Sequence, residues 1–223
     1  MSTNQVSLAS STKTQEDAAT ALTRARYQRI SPMYDRMEGM MERRIRPWRE
    51  KLWQFANGPR LLEVGVGTGK NIEFWPRDCK VTAIDLTPGM LELARQRASV
   101  LNRQGDDLFL ADIQHIELPS AIFDTVVATC VFCSVPDPIQ GLREIGRVLR
   151  PDGHLLLLEH IRIDKPVIGP MMDLLAPLVV RINGASINRR TIENVKKAGF
   201  QIDHIFDLDK MGMFKMILAR QGA

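Results

Sequence analysis

No uninterrupted apolar run in this 223-residue sequence reaches the ~20 residues that a helix needs to cross a bilayer, so no spanning helix is expected. An apolar signal-peptide core is also missing before Tyr27. Residues 1–20 are instead rich in Ser, Thr, Gln and Asn and read as a flexible tail, here taken to residue 22. Both absences point to a cytosolic protein. Cysteine is scarce: Cys79, Cys130 and Cys133 cannot form a metal site alone and read as reduced, packed thiols, with no metal expected. Internal repeats and long low-complexity stretches are lacking too, which excludes a repeat array. What remains is one α/β domain with an N-terminal extension.

Positive charge is unevenly placed. Residues 1–60 hold 11 Lys and Arg against 6 Asp and Glu, whereas the remainder holds 19 against 20. A basic patch attracts phosphate-bearing surfaces, so nucleic acid and anionic membrane both enter as partners.

From Arg60 onward, short β-branched apolar runs alternate with segments of helical period, the pattern of parallel strands joined by helical crossovers. The expected strands are Leu61–Val64, Lys80–Ile84, Leu108–Ala111, Phe123–Thr129 and His154–Glu159, followed by an antiparallel pair, Gln201–Asp207 and Phe214–Ala219. Helices are expected around Asn71–Phe74, Pro88–Leu101, Pro138–Leu149 and Arg190–Ala198, with a turn at Pro151-Asp152-Gly153. The fold class is therefore α/β and Rossmann-like: a seven-stranded, mostly parallel sheet with helices on both faces and an N-terminal helical extension. Residues 23–57 form the expected helical cap and 58–223 the main domain. Arg24–Phe55 and Asp164–Ile187 lie outside the alternation and suit substrate binding beyond the strand ends.

Glu63-Val64-Gly65-Val66-Gly67-Thr68-Gly69 runs from an apolar strand into a glycine turn. The third glycine comes one residue early for a dinucleotide fingerprint, and Asn71 follows Lys70 where a P-loop needs Ser or Thr. The turn instead resembles the E-x-G-x-G-x-G motif of class I methyltransferases, with Glu63, Gly65, Gly67 and Gly69 in register. Twenty residues beyond Gly65, the second strand ends at Asp85, where a carboxylate can accept the ribose hydroxyls of an adenosine. Leu86-Thr87-Pro88-Gly89-Met90, Ala111-Asp112-Ile113, Phe123-Asp124 and Arg147–Gly153 resemble the same family in order and spacing. Asp85 and Asp112 could each be a helix cap, but their place at the ligand edge favours binding. Asp124, at the opposite strand end, is expected to be structural.

The resemblance implies S-adenosylmethionine (SAM) as cofactor and S-adenosylhomocysteine as product. It also implies cofactor contacts from Tyr27, Glu63, Gly65, Gly67, Gly69, Asn71, Asp85, Leu86, Met90, Asp112, Ile113 and Cys130. Tyr27-Gln28-Arg29-Ile30-Ser31-Pro32-Met33-Tyr34-Asp35 is similar to the N-terminal signature of ubiquinone/menaquinone C-methyltransferases and bacterial phosphatidylethanolamine N-methyltransferases, in which it folds over SAM. Leu62–Gly69 and Glu159-His160 look closer to the phospholipid enzymes and to animal thiol methyltransferases, which share the Cys-Ser-Val of Cys133-Ser134-Val135. Quinone enzymes typically carry Asp where this chain has Glu63. A phospholipid amine therefore ranks first as acceptor, a quinone precursor or small thiol second.

Met37, Met41, Ile45, Trp48 and Leu52 recur at spacings of four and three among Arg36, Arg43, Arg44, Arg46, Arg49 and Lys51. This basic amphipathic segment suits an anionic membrane surface, which would hold the protein peripherally on the inner face. It equally suits a helix covering the sheet, and Pro47 is expected to interrupt it. Pro166 to Val180 is apolar enough to form an acceptor pocket or to pack on the N-terminal helix. Arg189 and Arg190 are candidates to clamp a phosphate, His160 is the candidate base, and Tyr27 and Tyr34 would orient the head group. The [DNS]-P-P-[YF] run of amino-methylating DNA enzymes is replaced by Thr129-Cys130-Val131-Phe132, so nucleic acid is disfavoured. A SAM- or lipid-binding module without turnover is the alternative of a different class.

Overall fold

The computed structural model describes residues 17–103 and 105–222. Most of the segment read as a flexible tail, residues 1–16, lies outside the described residues. The rest of that segment is not tail. Helix α1 (Ala18–Ile30) already starts there, because the Asp17 side chain accepts a hydrogen bond from the Thr20 N–H at 2.7 Å and satisfies one of the unpaired donors of the first turn.

A 3₁₀ turn at Ser31–Met33, with Pro32 at its start, leads into α2 (Tyr34–Trp53). Contrary to expectation, α2 runs through Pro47 unbroken. Pro47 and Arg43 are both exposed, so the carbonyl that proline leaves unpaired faces water. The face of α2 that carries Ile45, Leu52 and Trp53 is buried, whereas Met37 and Met41 are exposed. The lower half of this segment therefore covers the sheet, and only its upper end offers apolar surface to solvent.

The strands follow as β1 (Arg60–Val64), β2 (Lys80–Asp85), β3 (Asp107–Leu110), β4 (Phe123–Thr129), β5 (Leu149–His160), β6 (Phe200–Asp207) and β7 (Phe214–Gln221). β5 starts five residues earlier than expected, because Leu149 already pairs with Phe123 ahead of an irregularity in register. Between the strands lie α3 (Pro88–Val100), α4 (Pro138–Val148), α5 (Ile168–Asn183) and α6 (Thr191–Lys197). The segment at Ile72–Phe74 is a single 3₁₀ turn.

The seven strands order as β3-β2-β1-β4-β5-β7-β6. β1 to β5 pair in parallel, and β7 runs antiparallel to both its neighbours. Alternate side chains of the buried strands supply two cores. Leu62, Val64, Val126 and Leu155 pack with Leu142, Ile145 and Val195 from α4 and α6; Leu61, Val127 and Leu156 pack with Ile45, Leu52, Leu91 and Ala94 from α2 and α3. Helices thus cover both faces. Asp124 is structural, accepting from the Arg60 N–H at 2.9 Å and from the Arg150 guanidinium.

Candidate active site

The chain winds outward from β1 to β3 and returns to β4 on the other side of β1. A crevice therefore opens beyond the carboxyl ends of β1 and β4. Gly65 and Gly67 line it, and Gly65, Gly67 and Gly69 form the adjoining turn with φ of 66°, 57° and 82°. Two of these glycines serve different ends. A Cβ on Gly67 would meet nothing within 4 Å, whereas one on Gly69 would stand 2.6 Å from Ile72 Cδ1 and 3.1 Å from Ala94 Cα. Gly67 keeps space open above the turn, and Gly69 lets α3 pack against it.

Neighbouring elements hold the turn. Asp85, the last residue of β2, accepts from the Gly67 and Thr87 N–H groups, each at 2.8 Å. Burial raises its carboxyl above the ordinary range against the pull of those two donors. Thr68 donates to Asp35 on α2 at 2.6 Å, and Asp35 also pairs with Arg97 of α3 at 2.7 Å. Lys70 stands 3.7, 3.4 and 3.5 Å from Asp35, Glu38 and Glu42.

Behind the turn lies a buried polar cluster. Glu63 accepts from Asn71 Nδ2 at 2.8 Å and from Trp75 Nε1 at 2.6 Å. Asn71 accepts in turn from the Arg49 guanidinium at 3.0 Å. Arg49 enters from α2 and is 7% exposed. Its Nε lies 3.2 Å from Glu42 but without the alignment of a hydrogen bond, so this buried donor is unsatisfied.

Burial pushes the Glu63 carboxyl up to about 7, although Asn71, Trp75 and the charge of Arg49 oppose the shift. Glu159 on β5 is likewise pushed up to about 7 by burial, despite accepting from the Val131 and Phe132 N–H groups at 2.9 and 3.1 Å. The folded protein therefore holds protons that the unfolded chain has lost. The stability these groups contribute is complete below about 4.5, the ordinary value, and disappears as pH rises through about 7. Thermal melts are expected to fall between pH 5 and 8. Glu159→Gln, which keeps an oxygen for both N–H donors, is expected to flatten that slope; an unaltered slope would contradict the account.

Tyr27 and Tyr34 close the crevice from the N-terminal side with ring centroids 6.3 Å apart. The Tyr27 hydroxyl lies 2.5 Å from Ser134 Oγ, and Lys70 sits 5.2 Å from the centre of the Tyr34 ring. Burial pushes both phenols well above their ordinary range, which removes them as bases near neutral pH. Gln28 accepts from the Gly89 N–H at 2.8 Å, and Gln114 donates to Thr20 at 2.9 Å. α1 is thereby latched to α3 and to the loop after β3. The space of the crevice, its opening to solvent included, amounts to about 940 Å³.

Residues 62–157 match the family model described as a methyltransferase domain. Thiol S-methyltransferase TMT1B of Rattus norvegicus is 34% identical over 149 residues, which covers 65% of this chain and 61% of that protein. Phosphatidylethanolamine N-methyltransferase of Cereibacter sphaeroides is 35% identical over 117 residues, 52% of this chain and 56% of that protein. The chain thus spans less than two thirds of the length of either relative. A SAM-dependent methyltransferase structure from Thermotoga maritima matches with a TM-score of 0.66 at 19% identity, over 88% of this chain and 99% of that one, and so shares the fold. Residues 62–157 thus form a methyltransferase domain by their family model, set in a fold that the Thermotoga structure shares.

Tyr27, Tyr34, Glu63, Gly65, Gly67, Asn71, Asp85, Leu86, Met90, Asp112, Ile113 and Cys130 all line the crevice. Cys130 does so with φ of 55°, and burial pushes its thiol well above the ordinary range. The donor set suits SAM: carboxylates at Asp85 and Asp112 for its hydroxyl and amino groups, an unsatisfied guanidinium donor at Arg49, and open space over Gly67.

Three expectations need correction. Gly69 does not line the crevice, because its missing side chain makes room for Ile72 and Ala94. His160 does not line it either. It ends β5 opposite Phe214, with ring centroids 6.2 Å apart, and burial lowers its pKa. Arg189 and Arg190 do not form a clamp. Arg189 turns inward to the Val135 carbonyl at 2.6 Å, whereas Arg190 pairs with Glu193 at the start of α6 at 2.9 Å; neither lines the crevice. Of the two readings left open for Pro166 to Val180, the pocket is not seen, since the segment contributes no wall to the crevice, while Met172 and Ala176 are buried.

Arg49 is the site residue that the sequence did not single out from the other basic residues of its segment. The signal was present: Ile45, Arg49 and Leu52 lie four and three residues apart, which puts the arginine in the apolar stripe.

Proposed function

We propose that this protein is a SAM-dependent methyltransferase that acts on an amphiphile with an amine head group, a phospholipid amine first, and works peripherally at an anionic membrane surface. The carrying observation is the half-buried pair of tyrosine rings, Tyr27 and Tyr34, beside the Ser134 hydroxyl. Aromatic faces attract ammonium and substituted ammonium groups. When bound, SAM supplies an electrophilic methyl on a sulfonium. Asp85 would accept from its ribose hydroxyls and Asp112 from its adenine amino group, and Arg49 would donate to its carboxylate. The N-terminal helices would exclude water, which lowers an amine's proton affinity by desolvation and frees its lone pair without a dedicated base. Alignment alone can supply ~7–11 kcal/mol of the barrier.

A small thiol acceptor is the second reading. Among the described residues lining the crevice, the cations are Arg49 and Lys70; Lys70 stands over the Tyr34 ring but is already engaged by Asp35, Glu38 and Glu42, which leaves no free cation for a phosphate beside the tyrosines. On the first reading the phosphate stays at the mouth.

Arg49→Ala is expected to raise the KM for SAM by roughly ten- to a hundredfold while leaving that for the acceptor within a few-fold. Steady-state kinetics with each substrate varied in turn check this, and an unchanged SAM KM would remove Arg49 from the cofactor site. The function itself is tested by labelled-methyl SAM incubated with phosphatidylethanolamine vesicles, quinone precursors and small thiols in parallel. Label in methylated phosphatidylethanolamine is expected; label confined to thiol or quinone would overturn the amine acceptor.

A further inference from the structure

We propose that α5 lies in the plane of an anionic lipid bilayer and docks the protein there through a stripe of exposed apolar side chains. Along α5, Gly169, Met172 and Ala176 are buried, while Met171, Leu174, Leu175 and Leu178 are exposed at helical spacing on the other side. Val167, just before the helix, is 76% exposed and Leu174 is 79% exposed. Such side chains stand clear of the surface. No described helix is long and apolar enough to cross a membrane, so the fitting disposition is parallel to the surface.

Charge selects the occupant. The acidic groups beside the stripe are neutralised within the protein: Arg162 pairs with Asp164 and with Asp173 at 2.5 and 2.8 Å, and Asn188 donates to Asp173 at 3.0 Å. Lys165 before the helix and Arg181 near its end are exposed and have no carboxylate partner among the described residues. Gly184, which caps α5, packs against Arg26 and Tyr27 of α1. This brings the end of the stripe to the tyrosine side of the crevice. Arg29, Arg36 and Arg43 on α1 and α2 are exposed and have no carboxylate partner among the described residues, and Met33, Met37, Met40 and Met41 are exposed beside them. Leu and Met on one face with unpaired Lys and Arg at its margins match acyl chains beneath anionic head groups. A protein-binding hot spot would instead be centred on Trp, Tyr or Arg, and the stripe has none of these.

The surface rests on the amphiphile reading for its purpose, but its test is separate. The full-length protein is floated with phosphatidylcholine vesicles with and without phosphatidylglycerol. Wild type is expected to float with the anionic vesicles, and the double variant L174E/L178E to bind at least about tenfold more weakly. S-adenosylhomocysteine affinity and circular dichroism should be unchanged in that variant. L174W, at an exposed position, is expected to shift its emission to the blue on vesicles and to be quenched by brominated lipid.

Equal flotation of wild type and double variant, or a L174W spectrum indifferent to vesicles, would overturn the proposal. So would a concentration-dependent dimer abolished by L174E/L178E, which would give the face to a second copy of this chain. Flotation through α5 without methylation of phosphatidylethanolamine would sink the amine-acceptor reading and leave the docking surface standing.

Discussion

Asp85→Ala is expected to weaken S-adenosylmethionine binding by roughly a hundredfold or more, the scale of two hydrogen bonds to a charged acceptor. The loss has two sources. The carboxylate ends β2 at the crevice, where it would receive the ribose hydroxyls, and it also fixes the turn by accepting from the Gly67 and Thr87 N–H groups. Asn is not a conservative replacement, because its amide nitrogen would confront one of those two donors. Overall stability should change far less than affinity, since Asp85 is held in the protein at the expense of desolvation. Calorimetric titration of S-adenosylhomocysteine, with thermal melts on the same samples, reads both quantities. Affinity close to wild type would show that the cofactor does not use this edge.

The glycine turn provides the second large effect, through a contrast between neighbours. Both Gly67→Ala and Gly69→Ala place a side chain at positive φ, at a cost of about 1–2 kcal/mol. Gly67 has open space around the new methyl, so that variant should fold, melt a few degrees lower and lose most of its cofactor affinity. At Gly69 the methyl would collide with Ile72 and with the backbone of Ala94, adding about 1–3 kcal/mol of overpacking. That variant is expected to be the less stable of the two, yet its folded fraction should keep the better affinity. The reverse order of affinities would mean that the space above Gly67 is not cofactor space.

Legibility in the sequence followed physical locality. β1, β4 and the inner part of β5 are buried on both faces, and their unbroken apolar runs mark them directly. The glycine turn and the acids at the ends of β2 and β3 were legible for the same reason, since spacing along one strand and its loop fixes their place. Features that depend on distant partners were not. Pro47 is tolerated because the carbonyl it frees faces water, and no local pattern encodes which side of α2 that will be. Arg189 and Arg190 look alike in sequence but part company because one finds the Val135 carbonyl and the other Glu193. His160 sits at the expected strand end, but β7 pairs alongside and Phe214 receives its ring. The apolar segment of α5 suggested a pocket or a packed face, whereas the fold turns one side of it inward and leaves the other uncovered.

The most direct test is hydrogen–deuterium exchange by mass spectrometry with and without S-adenosylhomocysteine. The account predicts slower exchange in four regions together: the Tyr27–Tyr34 junction of α1 and α2, the Glu63–Asn71 turn, the Asp85–Met90 segment and the loop from Cys130 to Pro136. β6 should be unchanged. Protection confined to the glycine turn and Asp85, with no change at Tyr27–Tyr34, would contradict the claim that the N-terminal helices close the site in which the methyl is transferred.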